Sequence, residues 1–231
     1  MNKLAVFVEG YTELLFIDHL ISEIIGAHDC VIEHMCIRGG RRVKRTMSTI
    51  GATKPCTGER YYIMIVDCGG DNQVGTRVLE EHNNLTQSGY DKIIALRDVG
   101  PTYTISEINL LENGLKKYMN ASLIPVNFIL AVMEVEAWFV AECAHFRKIS
   151  SKITIPRIIS ELGFNPEDDD LSLRVSPSSD IENIYMIGGE HYVKGTTRTV
   201  DALDYCNIYV ELINKIPYLK SLIEEINDFM G

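Results

Sequence analysis

Short apolar runs alternate with amphipathic stretches along the first part of the chain. Residues 4–8 form an apolar run ending in Glu9-Gly10, which predicts a strand buried on both faces. Leu14, Leu15, Ile17, Leu20, Ile21, Ile24 and Ile25 then recur at helical spacing, with Thr12 as the expected N-cap and Gly26 as the stop. The same reading predicts strands over 30–37, 61–66, 92–96 and 126–133. It places helices over 74–85 and 106–118, the second capped by Ser106, and a further helix opening at Glu134-Val135-Glu136-Ala137-Trp138. The stretch 41–50 also reads as helical. Strand and helix alternate at least four times, which predicts an α/β domain with a mainly parallel sheet. The pattern changes after about Phe146. Acid, Ser/Pro and Gly-Gly clusters over 160–195 read as irregular structure, and helical periodicity returns over 200–230. The expected organisation is a domain over 1–145, with an irregular segment and a helical C-terminal extension over 146–231.

At 231 residues with 46% hydrophobic and 23% charged side chains, the chain can bury a sizeable core without disulfide staples. No apolar run is long and charge-free enough to span a bilayer, and the start reads as a strand rather than a secretory leader. The expected setting is therefore cytoplasmic, with no membrane partner. The six cysteines, Cys30, Cys36, Cys56, Cys68, Cys143 and Cys206, form no C-x-x-C pair and do not cluster with the histidines. Reduced thiols rather than a zinc site are expected.

Net charge is −10, yet Arg38, Arg41, Arg42, Lys44, Arg45 and Lys54 fall in a stretch that holds no Asp or Glu. This basic island on an acidic body suits a phosphate backbone, which asks for charge without sequence reading. A solvated helix face would have the same composition.

Acids follow almost every predicted strand. Glu9 ends the first, Asp67 with Asp71 nearby ends the third, Asp98 ends the fourth, and Glu134 and Glu136 follow the fifth. In a parallel sheet, ligands gather outside the carboxyl ends of the strands. Acids brought together there would repel one another and raise each other's pKa values unless a cation sat among them. Oxygen-only ligands favour Mg²⁺ or Mn²⁺ over zinc. Taken singly, each acid also suits a turn, a helix start or, for Asp98, a pair with Arg97. His191-Tyr192-Val193-Lys194 lies between glycines and reads as an exposed loop able to reach such a site. The chain has no G-x-x-x-x-G-K-[ST], G-x-G-x-x-G or G-x-S-x-G, which argues against nucleotide-loop and hydrolase-elbow chemistry.

Val8-Glu9-Gly10-Tyr11-Thr12-Glu13 resembles the V-E-G-x-T/S-E opening of Toprim-fold nucleases. That fold is shared by topoisomerases, primases, overcoming-lysogenization-defect nucleases and several bacterial defence proteins. Leu96-Arg97-Asp98 followed by Glu134-Val135-Glu136-Ala137-Trp138 is similar to the L-R-D strand and E-x-E-A-W helix start of stand-alone Toprim-like bacterial proteins. The resemblance covers roughly residues 4–145 and departs from the usual D-x-D, since Asp67 and Asp71 are spaced D-x-x-x-D. It implies a Rossmannoid three-layer sandwich and a Mg²⁺- or Mn²⁺-dependent nuclease of DNA or RNA, such as an anti-phage effector.

Glu9, Asp98 and Glu136 are the catalytic candidates, with Glu9 also a possible general base. Asp67, Asp71 and Glu134 join them as metal ligands, and the Asp67 and Asp98 turns compete for one position. Arg38, Arg41, Arg42, Lys44 and Arg45 would hold nucleic acid, with Glu13, Arg97 and Lys194 as accessory residues. The competing reading is a non-catalytic subunit that binds nucleic acid or a partner. An ATPase partner or a homo-oligomer would suit either reading.

Overall fold

The computed structural model describes every residue except 27, 40–42, 56–57 and 71. Six strands form one sheet: β1 (Asn2–Val8), β2 (Cys30–Arg38), β3 (Thr46–Ala52), β4 (Tyr61–Asp67), β5 (Lys92–Asp98) and β6 (Val126–Ala131), in the order β3-β2-β4-β1-β5-β6. All neighbours pair in parallel except β3, which runs antiparallel along the β2 edge. The chain is an α/β protein with a Rossmann-like three-layer arrangement.

Side-chain alternation along the central strands builds both outer layers. Leu4, Val6, Val8, Ile63, Ile65, Ile94 and Leu96 face one side. There they pack with α1 (Tyr11–Ile25) and with the C-terminal helices, among them α4 (Glu136–Ala141), α5 (His145–Ile149), α6 (Ile155–Leu162), α7 (Pro177–Gly188), α8 (Thr197–Ala202), α9 (Tyr205–Val210) and α10 (Pro217–Met230). Ala5, Phe7, Met64, Val66, Ile93 and Ala95 face the other side, against α2 (Val74–Gln87), while Leu111 and Leu115 of α3 (Ile108–Lys116) pack on Val99 and Leu130. Strands buried on both faces are the physical origin of the continuous apolar runs in the sequence.

Four local expectations are corrected. Of the stretch 41–50, residues 41 and 42 lie outside the described residues and 43–50 hold no helix; residues from Thr46 onward form the edge strand β3. Thr46, Thr49 and Ile50 are β-branched and suit a pleated edge, and a register irregularity between His34 and Met35 bends the pair. The segment 160–195 is irregular only in part: it holds the end of α6, a short 3₁₀ turn at Leu171–Leu173 and all of α7. Pro177 opens α7 at a position where its missing N–H costs nothing, and Gly189 closes it at φ 80°. Gly10, not Thr12, occupies the cap of α1, where its N–H donates to Glu13 Oε2 at 3.0 Å. Likewise α3 begins at Ile108, after a short 3₁₀ turn that Thr104 precedes. Among the described residues no helix is long and apolar enough to cross a membrane. The five described cysteines are unpaired thiols.

Candidate active site

The carboxyl ends of β1, β5 and β6 bring Glu9, Asp98, Glu134 and Glu136 to one edge of the sheet, and the first turn of α1 adds Glu13. Glu9, Glu13, Asp98 and Glu136 are all buried, Glu136 completely. Two of them are held by backbone donors. Glu13 is held by the Gly10 N–H. Asp98 Oδ1 accepts the Val135 N–H at 3.0 Å, which ties the end of β5 to the turn after β6. In that turn Met133 sits at φ 61°, a left-handed conformation that costs a non-glycine residue on the order of 1 kcal/mol. The strain turns the chain sharply just before the two glutamates.

Burial first, and then the charges of Glu13, Glu136 and Glu9, hold the Asp98 carboxyl well above its usual range. Burial and Glu136 push Glu13 up to about 7. These are the shifts expected when acids crowd in a poorly solvated space. One cation among them is Lys194, whose ammonium lies 3.0 Å from Glu136 Oε1 and 3.2 Å from Glu134 Oε1. Burial alone would lower the Lys194 pKa, but Glu136 and Glu134 more than offset it and the ammonium is held charged. Burial would likewise raise Glu134. The Ser178 N–H at 2.7 Å, the Ser178 hydroxyl at 2.9 Å and Lys194 together outweigh it and keep the carboxyl low.

Glu136 also accepts the Tyr192 hydroxyl at 2.8 Å through Oε1, while its buried Oε2 has no hydrogen-bond partner. Beside the glutamate, and desolvated, the Tyr192 phenol is pushed far up and stays a donor. Tyr192 and Lys194 belong to the loop after α7, which Gly195 anchors by donating its N–H to Thr12 Oγ1 at 2.7 Å.

The structure thus brings Glu9, Glu13, Asp98, Glu134, Glu136 and Lys194 together. Arg97 points to the opposite face of β5 from Asp98, with its Nε 3.8 Å from Glu9 Oε1. Asp67 ends β4 beside Val8 but is engaged otherwise: Arg38 lies 3.2 Å from Oδ2, and Oδ1 accepts the Gly69 N–H at 2.8 Å. In the basic island Arg38 pairs with Asp67, Arg45 pairs with Glu80, and Lys44 is exposed. Arg41, Arg42 and Asp71 lie outside the described residues. The sequence reading missed Tyr192 and Ser178 as partners of the glutamates. The Gly-flanked His191–Lys194 stretch was the available signal for the first; nothing in the sequence marked the second.

The donor set is all oxygen, crowded and short of positive charge, and one fully buried carboxylate oxygen is unsatisfied. That chemistry fits a hard divalent cation. Among the described residues no group of three or more His, Cys, Asp and Glu side chains converges into a ready coordination shell as it stands. The Lys194 ammonium is seated against two of the acids. Comparison with protein-family models, with curated proteins and with solved structures found no match to this chain.

Proposed function

We propose that this chain is a divalent-metal-dependent phosphodiesterase acting on DNA or RNA, a Toprim-like nuclease in which Glu9, Glu13, Asp98 and Glu136 would hold Mg²⁺ or Mn²⁺. The observation that carries this reading is the crowding of these buried carboxylates at the carboxyl edge of a parallel sheet, with one oxygen of Glu136 unsatisfied. When bound, such an ion supplies Lewis-acid stabilisation of the charge that develops on phosphoryl oxygens.

The protein's own groups divide the remaining work. Glu13, pushed up to about 7 by burial and Glu136, would be drawn by a cation bound among the acids to the ionised form it needs as a ligand. Lys194 brings a permanent positive charge to the place where a phosphate would enter. The Tyr192 hydroxyl and the Ser178 N–H and hydroxyl keep Glu136 and Glu134 oriented. Arg38, Lys44 and Arg45 present exposed cations at the β2–β3 edge for the strand backbone. A bacterial defence role, a cytoplasmic setting and an ATPase partner or homo-oligomer belong to the same proposal.

A second reading has one observation in its favour. Lys194 already neutralises Glu134 and Glu136, as it would in a non-catalytic binding subunit whose acids are structural. Cleavage of plasmid DNA and of RNA with Mg²⁺ or Mn²⁺, and with EDTA, separates the two. The catalytic reading expects metal-dependent cleavage that Glu136→Gln lowers by orders of magnitude. Full activity in Glu136→Gln would sink it.

A further inference from the structure

A cavity of about 290 Å³ opens between α2 and α3 on the face of the sheet opposite Asp98. Arg97 lines it with a side chain more than nine-tenths buried, whose Nε makes no hydrogen bond and faces Glu9 Oε1 at 3.8 Å. One of its terminal nitrogens donates to Asn72 Oδ1, and the guanidinium lies 5.6 Å from the centre of the Tyr103 ring. Around the mouth stand Leu79, Leu110 and Tyr118, large apolar side chains left 47%, 65% and 66% exposed. A buried guanidinium that lines a cavity, with one terminal nitrogen held by Asn72 and Nε turned to Glu9, offers its remaining terminal N–H groups to a planar ligand edge that carries acceptors. Leucine and tyrosine walls call for a flat, weakly polar body.

We infer that this cavity receives an unpaired nucleobase of the substrate strand. Base rings stack on tyrosine and leucine surfaces, and their ring nitrogens and carbonyls accept from arginine. The placement suits a strand whose backbone crosses the acid cluster. Arg97 and Asp98 are consecutive residues with Cα atoms about 3.8 Å apart, and their side chains project to opposite faces of the strand end. A base seated on Arg97 would therefore leave its own phosphate at the sheet edge. The substrate class is single-stranded nucleic acid, or a duplex with an extruded nucleotide, because a stacked and paired base cannot enter. This inference rests on the nuclease reading and names the substrate form for that site.

Gly114 supplies a direct test. It lines the cavity, and a Cβ added there would meet nothing within 4 Å, so the backbone admits a side chain and Gly114→Phe is chosen to obstruct the cavity. Replacing glycine within α3 also favours the helix. Binding of labelled single-stranded and fully paired oligonucleotides, DNA and RNA, is followed by fluorescence anisotropy in EDTA, where no cleavage occurs. Wild type should prefer the single strand. Gly114→Phe and the exposed-rim variant Tyr118→Ala should each weaken single-strand binding by about tenfold, as expected for losing one stacked base. Duplex binding should move little, and a thermal melt should show both variants folded.

Equal loss for both substrates, no loss in Gly114→Phe, or no binding of any strand by wild type would overturn the inference. Capture of free nucleoside monophosphates that Gly114→Phe abolishes, without strand binding, would also overturn it and make the cavity a small-molecule site. The nuclease reading is judged separately, by metal-dependent hydrolysis of bis(p-nitrophenyl) phosphate in wild type and Glu136→Gln. That substrate has no base, so failure of one reading is distinguishable from failure of the other.

Discussion

Replacing Lys194 by Met tests how the acid cluster is balanced. The substitution keeps the apolar stem and removes the ammonium. Glu136, fully buried, would keep the Tyr192 hydroxyl as a side-chain donor, and Glu134 would keep Ser178. Removing one partner of a buried ion pair costs about 3–5 kcal/mol. The Lys194 side chain is 50% exposed, so solvent screens much of that attraction, and about 1–2 kcal/mol is the expected loss. For a chain of this size that is a fall of roughly 3–6 °C in melting temperature. The loss should be greater at pH 8 than at pH 5.5, because the crowded acids can take up a proton when no cation faces them. Titration with MnCl₂ followed by scanning fluorimetry is the second half of the assay. A ligand that binds only the folded state stabilises it, and the variant has lost the ammonium that competes for the same oxygens. Mn²⁺ should therefore raise the melting temperature of Lys194→Met by more than that of wild type. A variant as stable as wild type at pH 8, or one with no gain in its response to Mn²⁺, would refute the assignment of Lys194 as the balancing cation.

Glu13 provides a pH test: its folded pKa of about 7 lies above the ordinary glutamate value of 4.5, so the folded protein binds more protons than the unfolded chain between those values, and stability should fall as pH rises from 4.5 to 7. Asp98, raised in the same direction with Glu9, Glu136 and Lys194 facing it, extends the trend, and metal-free melting curves of wild type and Glu13→Gln should show the fall flattened in the variant. Asp67→Asn removes the Arg38 pair, but Arg38 is 60% exposed; denaturant unfolding should register a loss of only about 0.5–1 kcal/mol, with cleavage near wild type, and a collapse of cleavage would instead move Asp67 into the cluster. Tyr192→Phe deletes the donor to Glu136 Oε1; a stability loss of about 1–3 kcal/mol, read by thermal melts at pH 8, is expected, and an unchanged melt would mean that the tyrosine carries no part of the carboxylate's burial.

The parallel core was legible because strands covered on both faces must be apolar at consecutive positions, as residues 4–8 and 92–96 are. The edge strand β3 was not. Its residues are mostly exposed, so no burial pattern distinguishes it from a solvated helix, and only its β-branched residues pointed to a strand. The Ser-Pro and Gly-Gly pairs around α7 are ambiguous by nature, since proline and glycine mark both loops and the two ends of a helix. Glu9, Asp98 and Glu136 were visible as acids at predicted strand ends. The weight of Glu13 was not, because an acid in a first helical turn is ordinarily a cap. Here it is both, holding the Gly10 N–H while buried beside Asp98. Lys194 was legible as an accessory residue in a Gly-flanked loop, but its seat against Glu134 and Glu136, and the part played by Tyr192, required knowing that the loop after α7 folds back onto α1, a long-range contact that no local pattern encodes.

That contact also sets an order of assembly. Thr12 and Gly195 are separated by 183 residues in the chain, yet the hydrogen bond between them seats the loop that carries Lys194. During synthesis the ribosome delivers Glu9, Glu13, Asp98, Glu134 and Glu136 well before it delivers Lys194. A nascent or truncated chain ending before that lysine holds the acids of the site without the ammonium that faces Glu134 and Glu136. The charge-balanced centre therefore exists only once the chain has been made through Gly195, and the step that completes it is the docking of that loop onto α1.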